Sequence, residues 1–407
     1  MKTQRIHDGI DQLTIDVKDI LFEGLWEMPN GVTLNSYIVH GDDIAIIDGV
    51  CGWDGVPETL FQLFDSLNLD VKKVKYLILN HLEPDHSGWI EPFKKIHSDF
   101  EVVCTDKGAE LYRSYYGDNE TIHVVKDGSE LDLGNGKKLN FITIPHVHWP
   151  DAMLTYEVNS QTVFSCDAFG MFGTYDKSNA SEYTVDELKS FTREIDRYYS
   201  NIIGAFSPFV LKAIEKCDGI EISRIAPGHG LLWDTQIDWI IEKYRSLANC
   251  QKGGEQKITL LWGSMYGMTE AAVKVAEAVL KASGISYEVH RVPDSSWGEI
   301  LTSVWTSKGV ILAMPTYEYK MFPPMAAVLE EIGRKKANCR LGFRFGSFGW
   351  SGGAQKELDE ILEKYRMNWT FIEPHEFKGR ATDESLEIVK QQTHQLIELV
   401  KQCESAN

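Results

Sequence analysis

The sequence predicts an α/β protein of two domains, with residues 1–250 forming the first and residues 256–407 the second. Three observations lead to this prediction. The chain has 407 residues, which exceeds the usual size of a single domain. The segment "NCQKGGEQK", residues 249–257, is polar and contains a glycine pair, as is typical of a linker. After this segment apolar strands alternate regularly with amphipathic helices, whereas before it short strands, turns and helices are mixed.

Several runs predict the strands of the first domain. "TLNSYIVHGDDIAIIDGV" predicts two strands joined by a Gly-Asp-Asp turn. Other β-branched, apolar runs, each followed by polar, glycine or proline positions, predict further strands at "VKYLILN", "EVVCT", "LNFITIP", "TVFSC" and "ISRIAP". Residues 184–204, "TVDELKSFTREIDRYYSNIIG", have helical spacing and begin with a Thr and Glu arrangement that suits an N-terminal cap.

The second domain shows a regular alternation. "KITLLWG" predicts a strand, and "TEAAVKVAEAVLKAS" predicts a helix that Gly284 would end. Strands follow at "ISYEVHRV", "GVILAMP", "RLGFRFGSF" and "WTFIE", and helices from about Pro324, over "AQKELDEILEKY", and from about Asp383. This β-α alternation, repeated about five times, is typical of a doubly wound parallel sheet.

Composition narrows the class of protein. The contents of hydrophobic residues, 43%, and of charged residues, 25%, are those of a soluble globular protein. A net charge of −19 argues against nucleic acid and anionic membranes as partners. Neither a signal peptide nor the ~18–20 apolar residues of a membrane span is recognisable. The seven cysteines are dispersed without a C-x-x-C motif, which indicates reduced thiols. We therefore expect a soluble, cytoplasmic protein.

A short segment, "HLEPDH", concentrates residues that can bind a metal. Two histidines, a glutamate and an aspartate lie within six positions, and the chance product for such a pattern is about one per cent over the whole chain. Further candidates follow other predicted strands, and loops that follow strands of one sheet converge on one edge. A lone histidine such as His146 is more often satisfied by ordinary hydrogen bonds. The candidate ligands are His81, Glu83, Asp85, His86, His148, Asp167 and His229.

The chemical types of these candidate ligands favour some metal ions over others. Four imidazoles and three carboxylates are too many for one ion but suit two ions that share a bridging ligand. A zinc hydrolase would favour imidazole or thiolate ligands in near-tetrahedral geometry. Two histidines with hard carboxylates at each ion, and positions left open, favour non-haem iron that binds a small oxidant. Zinc and manganese remain alternatives at this point.

The loop "SMYGMT" predicts a phosphate site in the second domain. It lies between a strand and a helix, where backbone amides and hydroxyl groups can bind a phosphate dianion. Neither G-x-G-x-x-G nor G-K-[ST] is present, which argues against dinucleotide and Walker-type sites. A hydroxyl-rich loop without lysine suits a nucleotide monophosphate that is held and not hydrolysed. The candidate residues are Ser264, Met265, Tyr266, Gly267, Met268 and Thr269.

Two later loops predict a site for a flat ring. "PTYEYKMFPP" and "GSFGWSGGA" each combine aromatic side chains with glycine or proline, as is needed to sandwich a ring while backbone amides reach its edge. The alternative is ordinary packing of aromatic side chains in a loop. The candidate residues are Pro315, Thr316, Tyr317, Glu318, Ser347, Phe348, Gly349, Trp350, Gly352 and Gly353.

The pattern "HLEPDH…PHVHWPD…SCDAFG…PGHG" resembles the metallo-β-lactamase-like domain of the flavodiiron proteins, an αββα sandwich. Zinc hydrolases of that fold carry H-x-H-x-D-H, and Glu83 replaces the second histidine here, as in flavodiiron proteins. The resemblance implies that His81, Glu83 and His148 hold one iron, that Asp85, His86 and His229 hold the other, and that Asp167 bridges them. The family's H-W-P-D pattern selects His148 over His146. Asp151 would orient one of the ligands.

The three loops of the second domain together resemble flavodoxin, which implies FMN as the ligand, with Tyr317 and Trp350 in stacking or edge contact. The resemblance to flavodiiron proteins spans essentially the whole chain. It implies an enzyme that reduces dioxygen to water, nitric oxide to nitrous oxide, or both, with electrons passing from FMN to a diiron centre. It also implies a head-to-tail homodimer, or a dimer of such dimers.

The electron donor is expected to be a separate molecule, because the chain ends after the flavodoxin-like half without the cysteine pairs of a rubredoxin. A rubredoxin is the first expectation and a reduced deazaflavin the second. The segment "FEGLWEMPNGVTLNSY" lacks a histidine that some members carry near the irons, so we expect Glu23 and Leu25 to line the substrate pocket. The residues favour neither dioxygen nor nitric oxide. The rival hypotheses are a binuclear zinc hydrolase fused to a flavodoxin-like module, and an electron carrier whose first domain has lost catalysis.

Overall fold

The computed structural model describes residues 1–52, 55–56 and 60–402. These residues form two compact units, one made of 1–199 with 208–245 and the other of 200–207 with 246–407. The last residues of the predicted second domain, 403–407, lie outside the described part. Among the described residues, every helix is too short or too polar to cross a lipid bilayer.

The first unit contains fourteen strands in its described residues. They are β1 (Lys2–His7), β2 (Ile10–Val17), β3 (Leu21–Phe22), β4 (Trp26–Glu27), β5 (Val32–His40), β6 (Ile44–Ile47), β7 (Val74–Ile78), β8 (Glu101–Cys104), β9 (Thr121–Val124), β10 (Glu130–Asp132), β11 (Lys138–Thr143), β12 (Met153–Glu157), β13 (Thr162–Cys166) and β14 (Arg224–Pro227). One sheet has the order β1-β2-β5-β6-β7-β8-β9 and a second the order β10-β11-β12-β13-β14. β3 and β4 form a separate hairpin.

The two sheets pack face to face. Residues of both sheets, among them Val39 and Ile78 from the first and Phe141 and Phe164 from the second, belong to one buried apolar cluster. All residues of β12 and β13 are buried, so these strands are covered on both faces.

The helices are α1 (Leu60–Ser66), α2 (Pro84–Ser87), α3 (Ile90–Lys94), α4 (Asp106–Tyr116), α5 (Val185–Ser190), α6 (Thr192–Tyr198), α7 (Ser207–Lys216) and α8 (Ile237–Asn249).

Strand direction in this unit determines where the functional loops lie. β6, β7, β8 and β9 run parallel, and so do β13 and β14. The carboxyl ends of parallel neighbours therefore open at the same edge of each sheet. The loops that follow β7, β13 and β14 carry all the predicted metal ligands except His148, which lies between β11 and β12.

The second unit is built on a parallel sheet. Its strands are β15 (Glu255–Trp262), β16 (Ser286–Arg291), β17 (Ser307–Ala313), β18 (Thr316–Tyr317), β19 (Lys320–Met321), β20 (Leu341–Phe348), β21 (Thr370–Phe371) and β22 (His375–Lys378), and its helices are α9 (Met268–Ser283), α10 (Trp297–Thr306), α11 (Pro323–Arg334), α12 (Ala354–Tyr365) and α13 (Asp383–Gln402). The sheet order is β16-β15-β17-β20-β21, with β22 also paired to β20, and every pair in it is parallel. The predicted fold class, a sandwich followed by a doubly wound sheet, is confirmed.

Three local predictions differ from the structure. Helix α10 was not predicted; nearly all of its residues are buried, including the polar Thr302 and Ser303, so its burial does not follow the apolar positions of the sequence. Residues 184–204 form α5, α6 and a π-helical turn, Tyr199–Ile203, instead of one helix, although Thr184 and Glu187 do form the expected capping box. The predicted polar linker is a packed connection, since Gln251 is buried and donates a hydrogen bond to the Gly204 carbonyl.

Candidate functional site

The seven predicted metal ligands meet in one place in the first unit. The loop after β7 and the short helix α2 supply four of them, the hairpin between β11 and β12 supplies His148, and the loops after β13 and β14 supply Asp167 and His229. Potential ligand atoms of His81, Glu83, His148 and Asp167 lie within 4.8 Å of one another, and the same holds for Asp85, His86 and His229. The predicted ligands therefore form two adjacent groups in the structure.

Asp167 lies between the two groups. Its Oδ1 is 3.1 Å from Nε2 of His86 and 3.1 Å from Nε2 of His229. Its Oδ2 is 3.6 Å from Nε2 of His81 and 3.5 Å from Nε2 of His148. Each carboxylate oxygen thus faces a different pair of histidines, which is the geometry of a carboxylate that bridges two ions.

Each group has a carboxylate of its own. Oε2 of Glu83 is 2.9 Å from Nε2 of His148 and 3.3 Å from Nε2 of His81. Oδ2 of Asp85 is 3.4 Å from Nε2 of His229 and 3.6 Å from Nε2 of His86. Each group therefore offers two imidazoles and one carboxylate, with Asp167 shared.

Unpartnered polar atoms in this cluster fit a bound cation. Both carboxylate oxygens of Asp85, Oδ2 of Asp167 and both ring nitrogens of His229 are buried without a hydrogen-bond partner among the described residues. Buried polar atoms are normally hydrogen-bonded, because leaving them unpaired costs free energy. Metal ions at the centre of each group would satisfy the carboxylate oxygens and Nε2 of His229, the ring nitrogen that faces Asp85 and Asp167. The donor set of nitrogen and carboxylate oxygen suits non-haem iron.

The electrostatics of the cluster favour charged ligands. Burial would raise the pKa of Asp167, but the neighbouring histidines, His86 and His229, hold it well below its ordinary value. Burial would also raise the pKa of Glu83, yet hydrogen bonds with His148 and His81 lower it. Conversely, burial would lower the pKa of His86, whereas the charges of Asp85 and Asp167 raise it to about 10. The carboxylates are therefore ready to bind a cation, which must displace protons from the imidazoles.

Two further side chains orient the ligands. Both oxygens of Asp151 lie 3.2 Å from Nδ1 of His81, and the carboxylate also accepts a hydrogen bond from the backbone of Leu82. This contact turns Nε2 of His81 toward the cluster, as expected for Asp151. The hydroxyl of Tyr198 donates a 2.9 Å hydrogen bond to Oδ1 of Asp167. Sequence reasoning missed Tyr198, because it lies in a helix with ordinary amphipathic spacing.

The structure separates the two histidines of "PHVHWPD". His148 belongs to the cluster, whereas the ring of His146 packs against Phe209 at 4.7 Å between centroids. Cys166, which was not predicted, forms a third close group with His86 and Asp167. It immediately precedes Asp167 at the end of β13.

A cavity of about 380 Å³ opens next to the cluster and is lined by Glu83 and Asp85, one carboxylate from each group. Glu23 lines it, as expected from the sequence. Leu25 is not among its lining residues and is 40% exposed, so that expectation was wrong. The hairpin of β3 and β4 instead turns Phe22 inward, 5.4 Å from the ring of His229 between centroids. In the sequence, the only feature that could have indicated Phe22 is its apolar side chain next to Glu23. Cys51 lines the same cavity.

The three predicted loops of the second unit follow β15, β17 and β20, neighbouring strands of its sheet. In the first loop the hydroxyl of Ser264 accepts a hydrogen bond from the backbone of Gly267, directly before α9. The hydroxyls of Thr269 and Ser347 lie 2.9 Å apart and join the first loop to the third. The backbone of Ala354 donates to the hydroxyl of Thr316 and joins the third loop to the second.

Aromatic rings on these loops remain open to solvent. Tyr266 is 86% exposed, Tyr317 is 42% exposed and Trp350 is 72% exposed. Tyr319, which was not among the candidates, approaches Trp350 edge-on at 6.1 Å between centroids. Large rings that lie in solvent above a helix N-terminus can bind a flat ligand that carries a phosphate. The loops therefore fit a flavin mononucleotide.

Known proteins resemble this chain over most of its length. The family model described as ODP family beta lactamase matches residues 32–230, a range that includes all seven clustered residues. An anaerobic nitric oxide reductase flavorubredoxin of Aeromonas hydrophila is 32% identical over 359 residues, which cover 87% of this chain and 70% of that protein. A protein of the same name from an Enterobacter species is 31% identical over 368 residues, with coverage of 89% and 74%.

Two solved structures share the fold of the whole chain. Rubredoxin oxygen:oxidoreductase from Desulfovibrio gigas has a TM-score of 0.91 at 25% identity and covers 98% of this chain and 99% of its own. A mutant of the flavo di-iron protein from Thermotoga maritima has a TM-score of 0.88 at 30% identity, with 98% coverage of both chains.

Proposed function

The chain belongs to the flavodiiron protein family, and we propose on that basis that it is an oxidoreductase which reduces dioxygen to water, nitric oxide to nitrous oxide, or both. The observation that carries this proposal is the position of Asp167, whose two oxygens face two separate histidine pairs. A hydrolase with two zinc ions is less well supported, because Glu83 supplies a hard carboxylate where such enzymes carry a histidine.

We assign the metal ligands as two sets that share one residue. His81, Glu83 and His148 would hold one iron, Asp85, His86 and His229 the other, and Asp167 would bridge them. The loop of residues 264–269 would bind the phosphate of FMN, and the loops that carry Tyr317 and Trp350 would contact its ring. When bound, the two irons supply coordination and electrons for a diatomic gas, and FMN supplies further electrons from an external donor.

The residues around the metal cluster shape the space for substrate. Phe22 and Cys51 present apolar or weakly polar surface to the cavity, which suits a small, uncharged diatomic molecule. Tyr198 holds Oδ1 of Asp167 by a hydrogen bond and so limits the rotation of the bridging carboxylate. Glu23 accepts a hydrogen bond from the indole of Trp26, which holds this carboxylate at the rim.

We further propose that electrons come from a separate molecule and that the enzyme works as a head-to-tail homodimer. A rubredoxin is the first candidate donor, since the similar Desulfovibrio gigas enzyme is named for it, and a reduced deazaflavin is the second. The exposed rings of Tyr266 and Trp350 support a dimer, because apolar side chains beside a cofactor site are commonly covered by a partner surface.

The proposal is tested by reducing iron-loaded protein anaerobically and adding each gas separately. We expect about two irons and one FMN for each chain, and consumption of dioxygen or nitric oxide well above the rate of free flavin. Asp167→Ala should lose iron and turnover while it keeps the yellow flavin, because the bridge belongs only to the metal site. Zinc at the site with no gas consumption would favour the hydrolase instead, and an Asp167→Ala protein that loses flavin but keeps iron would contradict our division of roles.

A further inference from the structure

A second cleft in the first unit is lined mainly by isoleucine side chains. It has a volume of about 340 Å³ and lies between the outer face of β13 and β14 and the helices α7 and α8. None of its lining residues lines the metal cavity, so the two spaces are separate. We name it the isoleucine cleft and define it by Ile214, Ile220, Ile222, Ile225, Ile237 and Ile241.

The strands β13 and β14 form the floor of the isoleucine cleft. Side chains alternate between the two faces of a strand. Phe164 and Ala226 belong to the apolar cluster between the two sheets, so Val163 and Ile225 point to the opposite face. Both of these side chains are almost fully buried and line the cleft. The floor is therefore apolar.

Helix α8 carries more apolar side chains than the core takes up. Ile240 and Tyr244 are fully buried, and the hydroxyl of Tyr244 donates a 2.6 Å hydrogen bond to the carbonyl of Gly170. Ile237 and Ile241 form a second apolar row, four residues apart on the helix. Both are only half-buried, and both line the cleft. This row is apolar surface that the core leaves uncovered.

The segment between α7 and β14 forms another wall. Ile220 and Ile222 are half-buried and line the cleft, whereas Glu221 between them is exposed and does not line it. The carbonyl of Glu221 accepts a 2.8 Å hydrogen bond from the hydroxyl of Tyr156, which holds the segment in place. The segment therefore turns its two isoleucines into the cleft and its carboxylate away from it.

The charged side chains at the rim are mainly acidic. Asp218, Asp238 and Glu242 line the cleft, and Arg245 is the one cation among its lining residues. Nε of Arg245 is 3.0 Å from Oε1 of Glu242, so these two charges balance. Within the described residues, the carboxylates of Asp218 and Asp238 make no ion pair and no side-chain hydrogen bond. Two negative charges therefore remain at the rim of an apolar space.

Cys217 shows that the charge of Asp218 acts inside the cleft. Its thiol is half-buried and lines the cleft. Burial and the neighbouring charge of Asp218 raise the pKa of Cys217 to about 11, whereas the charge of Lys216 lowers it by less. Lys216 is itself paired with Asp127 at 3.0 Å. The space beside Cys217 is therefore both apolar and electrically negative.

We propose that the isoleucine cleft binds a small organic cation, with its aliphatic body between the isoleucines and its ammonium group at the rim near Asp218 and Asp238. Burial of the aliphatic body removes apolar surface from water on both molecules. The two carboxylates favour a cation over a neutral or anionic molecule of the same shape. A volume of about 340 Å³ is within the range of small-molecule sites. This site does not depend on the proposed redox chemistry.

Four probes separate the role of the aliphatic body from the role of the charge. Hexylammonium, hexanol and hexanoate share one chain length and differ in charge, and butylammonium keeps the charge on a shorter chain. Titration calorimetry at constant ionic strength, on protein loaded with iron and FMN, should show one hexylammonium for each chain. Hexanol should bind about threefold more weakly, and hexanoate should not bind at about 10 mM. Butylammonium should bind about tenfold more weakly, because each methylene group contributes about fourfold.

A pair of matched variants tests the apolar wall. Ile222→Ser should weaken hexylammonium and hexanol alike, by about tenfold, because it removes apolar surface from the cleft. The control Ile96→Ser makes the same change at an isoleucine of the first unit that is 46% exposed and lies outside the cleft. It should stay within about twofold of the parent. Iron content should be normal in both variants.

A second pair tests the acidic rim. Asp218→Asn should weaken hexylammonium about threefold and leave hexanol unchanged, because only the cation interacts with the lost charge. The control Asp186→Asn removes a carboxylate that is 96% exposed and should leave both probes unchanged. Equal effects of the two variants on hexylammonium would show a response to total charge only and would overturn the role of the rim.

Chemical modification tests the location independently. N-Ethylmaleimide adds an uncharged group to the thiol of Cys217, which lines the cleft. Parent protein modified at Cys217, as verified by mass spectrometry, should no longer bind hexylammonium. Cys217→Ser treated in the same way carries the modification only at other cysteines and should bind it as before.

Three outcomes would overturn the proposal. If hexylammonium does not bind at about 10 mM, the isoleucine cleft is not a site for such cations. If hexanoate binds as tightly as hexylammonium, the acidic rim does not select the ligand. If binding survives both Ile222→Ser and modification of Cys217, the probe binds elsewhere on the protein.

Discussion

Asp167 is the residue on which the organisation of the metal site depends. Either of its oxygens alone would complete only one group of ligands, and the two together connect both groups. The sequence predicts Asp167 and the other six candidate ligands because each has the right chemistry and follows an apolar strand, and the structure brings these side chains together. It could not identify Phe22 or Tyr198, whose positions beside His229 and Asp167 arise from contacts with distant parts of the chain.

Asp151 gives a prediction at this scale. Asp151→Asn should weaken iron binding about 10- to 100-fold, because the amide cannot hold His81 as the carboxylate does. The FMN content should not change, since Asp151 lies only in the metal-binding unit. Metal analysis after dialysis against a graded chelator measures the effect. The control Asp186→Asn alters a carboxylate that is 96% exposed and should bind iron normally. If Asp151→Asn retains iron as tightly as the parent, the orienting role is wrong.

At the scale of single elements, short loops that follow strands carry the residues of both the metal cluster and the candidate flavin site. Most strands and helices of the second unit were predictable because their apolar positions recur with a period of two or of about 3.6. Helix α10 escaped prediction because it buries polar residues, Thr302 and Ser303, together with its apolar ones. The break at Phe191 was also missed, because "TVDELKSFTREIDRYY" has helical spacing and the packing of Phe191 against Tyr175 and Tyr183 is a tertiary contact.

The third flavin loop gives a prediction at the element scale. Gly353 has φ 154°, and a Cβ there would overlap the backbone oxygen of Tyr319 in the second loop. Gly353→Ala should therefore push the two loops apart and weaken FMN binding about tenfold or more. Flavin fluorescence during titration of the deflavinated protein measures the affinity.

The same loop offers a matched control. Gly349 has no atom within 4 Å of the position where a Cβ would stand. Gly349→Ala should therefore leave the spacing of the two loops unchanged and should weaken FMN binding less than Gly353→Ala does. Iron content should be normal in both variants. Equal loss of FMN in the two variants would show that general loop flexibility, and not the close approach at Gly353, sets the affinity.

At the scale of the whole molecule, the proposed head-to-tail dimer leads to a prediction that depends on two subunits. Asp167→Ala should lack iron but keep flavin, and Gly353→Ala, whose FMN affinity is weakened, should be depleted of flavin but keep iron. In a mixed dimer the flavin of the first variant would serve the irons of the second. A statistical mixture of the two co-expressed variants should recover about a quarter of the parent activity.

Each variant purified alone provides the baseline for this test. Both should be nearly inactive in gas consumption with an excess of reductant. Recovery of activity only on co-expression supports transfer between subunits. If the mixture is no more active than the separate variants, although mixed dimers are present by mass spectrometry, electrons do not cross between subunits as proposed.

The sequence by itself determined the fold class, and it predicted the candidate metal ligands and the three candidate flavin loops. These features are local, because the periodicity of a strand or a helix and the spacing of "HLEPDH" can each be recognised within a short segment of consecutive residues. Tertiary structure alone decided how the ligands pair, because Glu83 and His148 are 65 positions apart and His86 and Asp167 are 81 apart. It also decided that Phe22 and not Leu25 lines the substrate cavity, and that Ile222 and Ile241 share a cleft. Such contacts depend on how strands and helices pack, and periodicity along one segment carries no information about its distant neighbours.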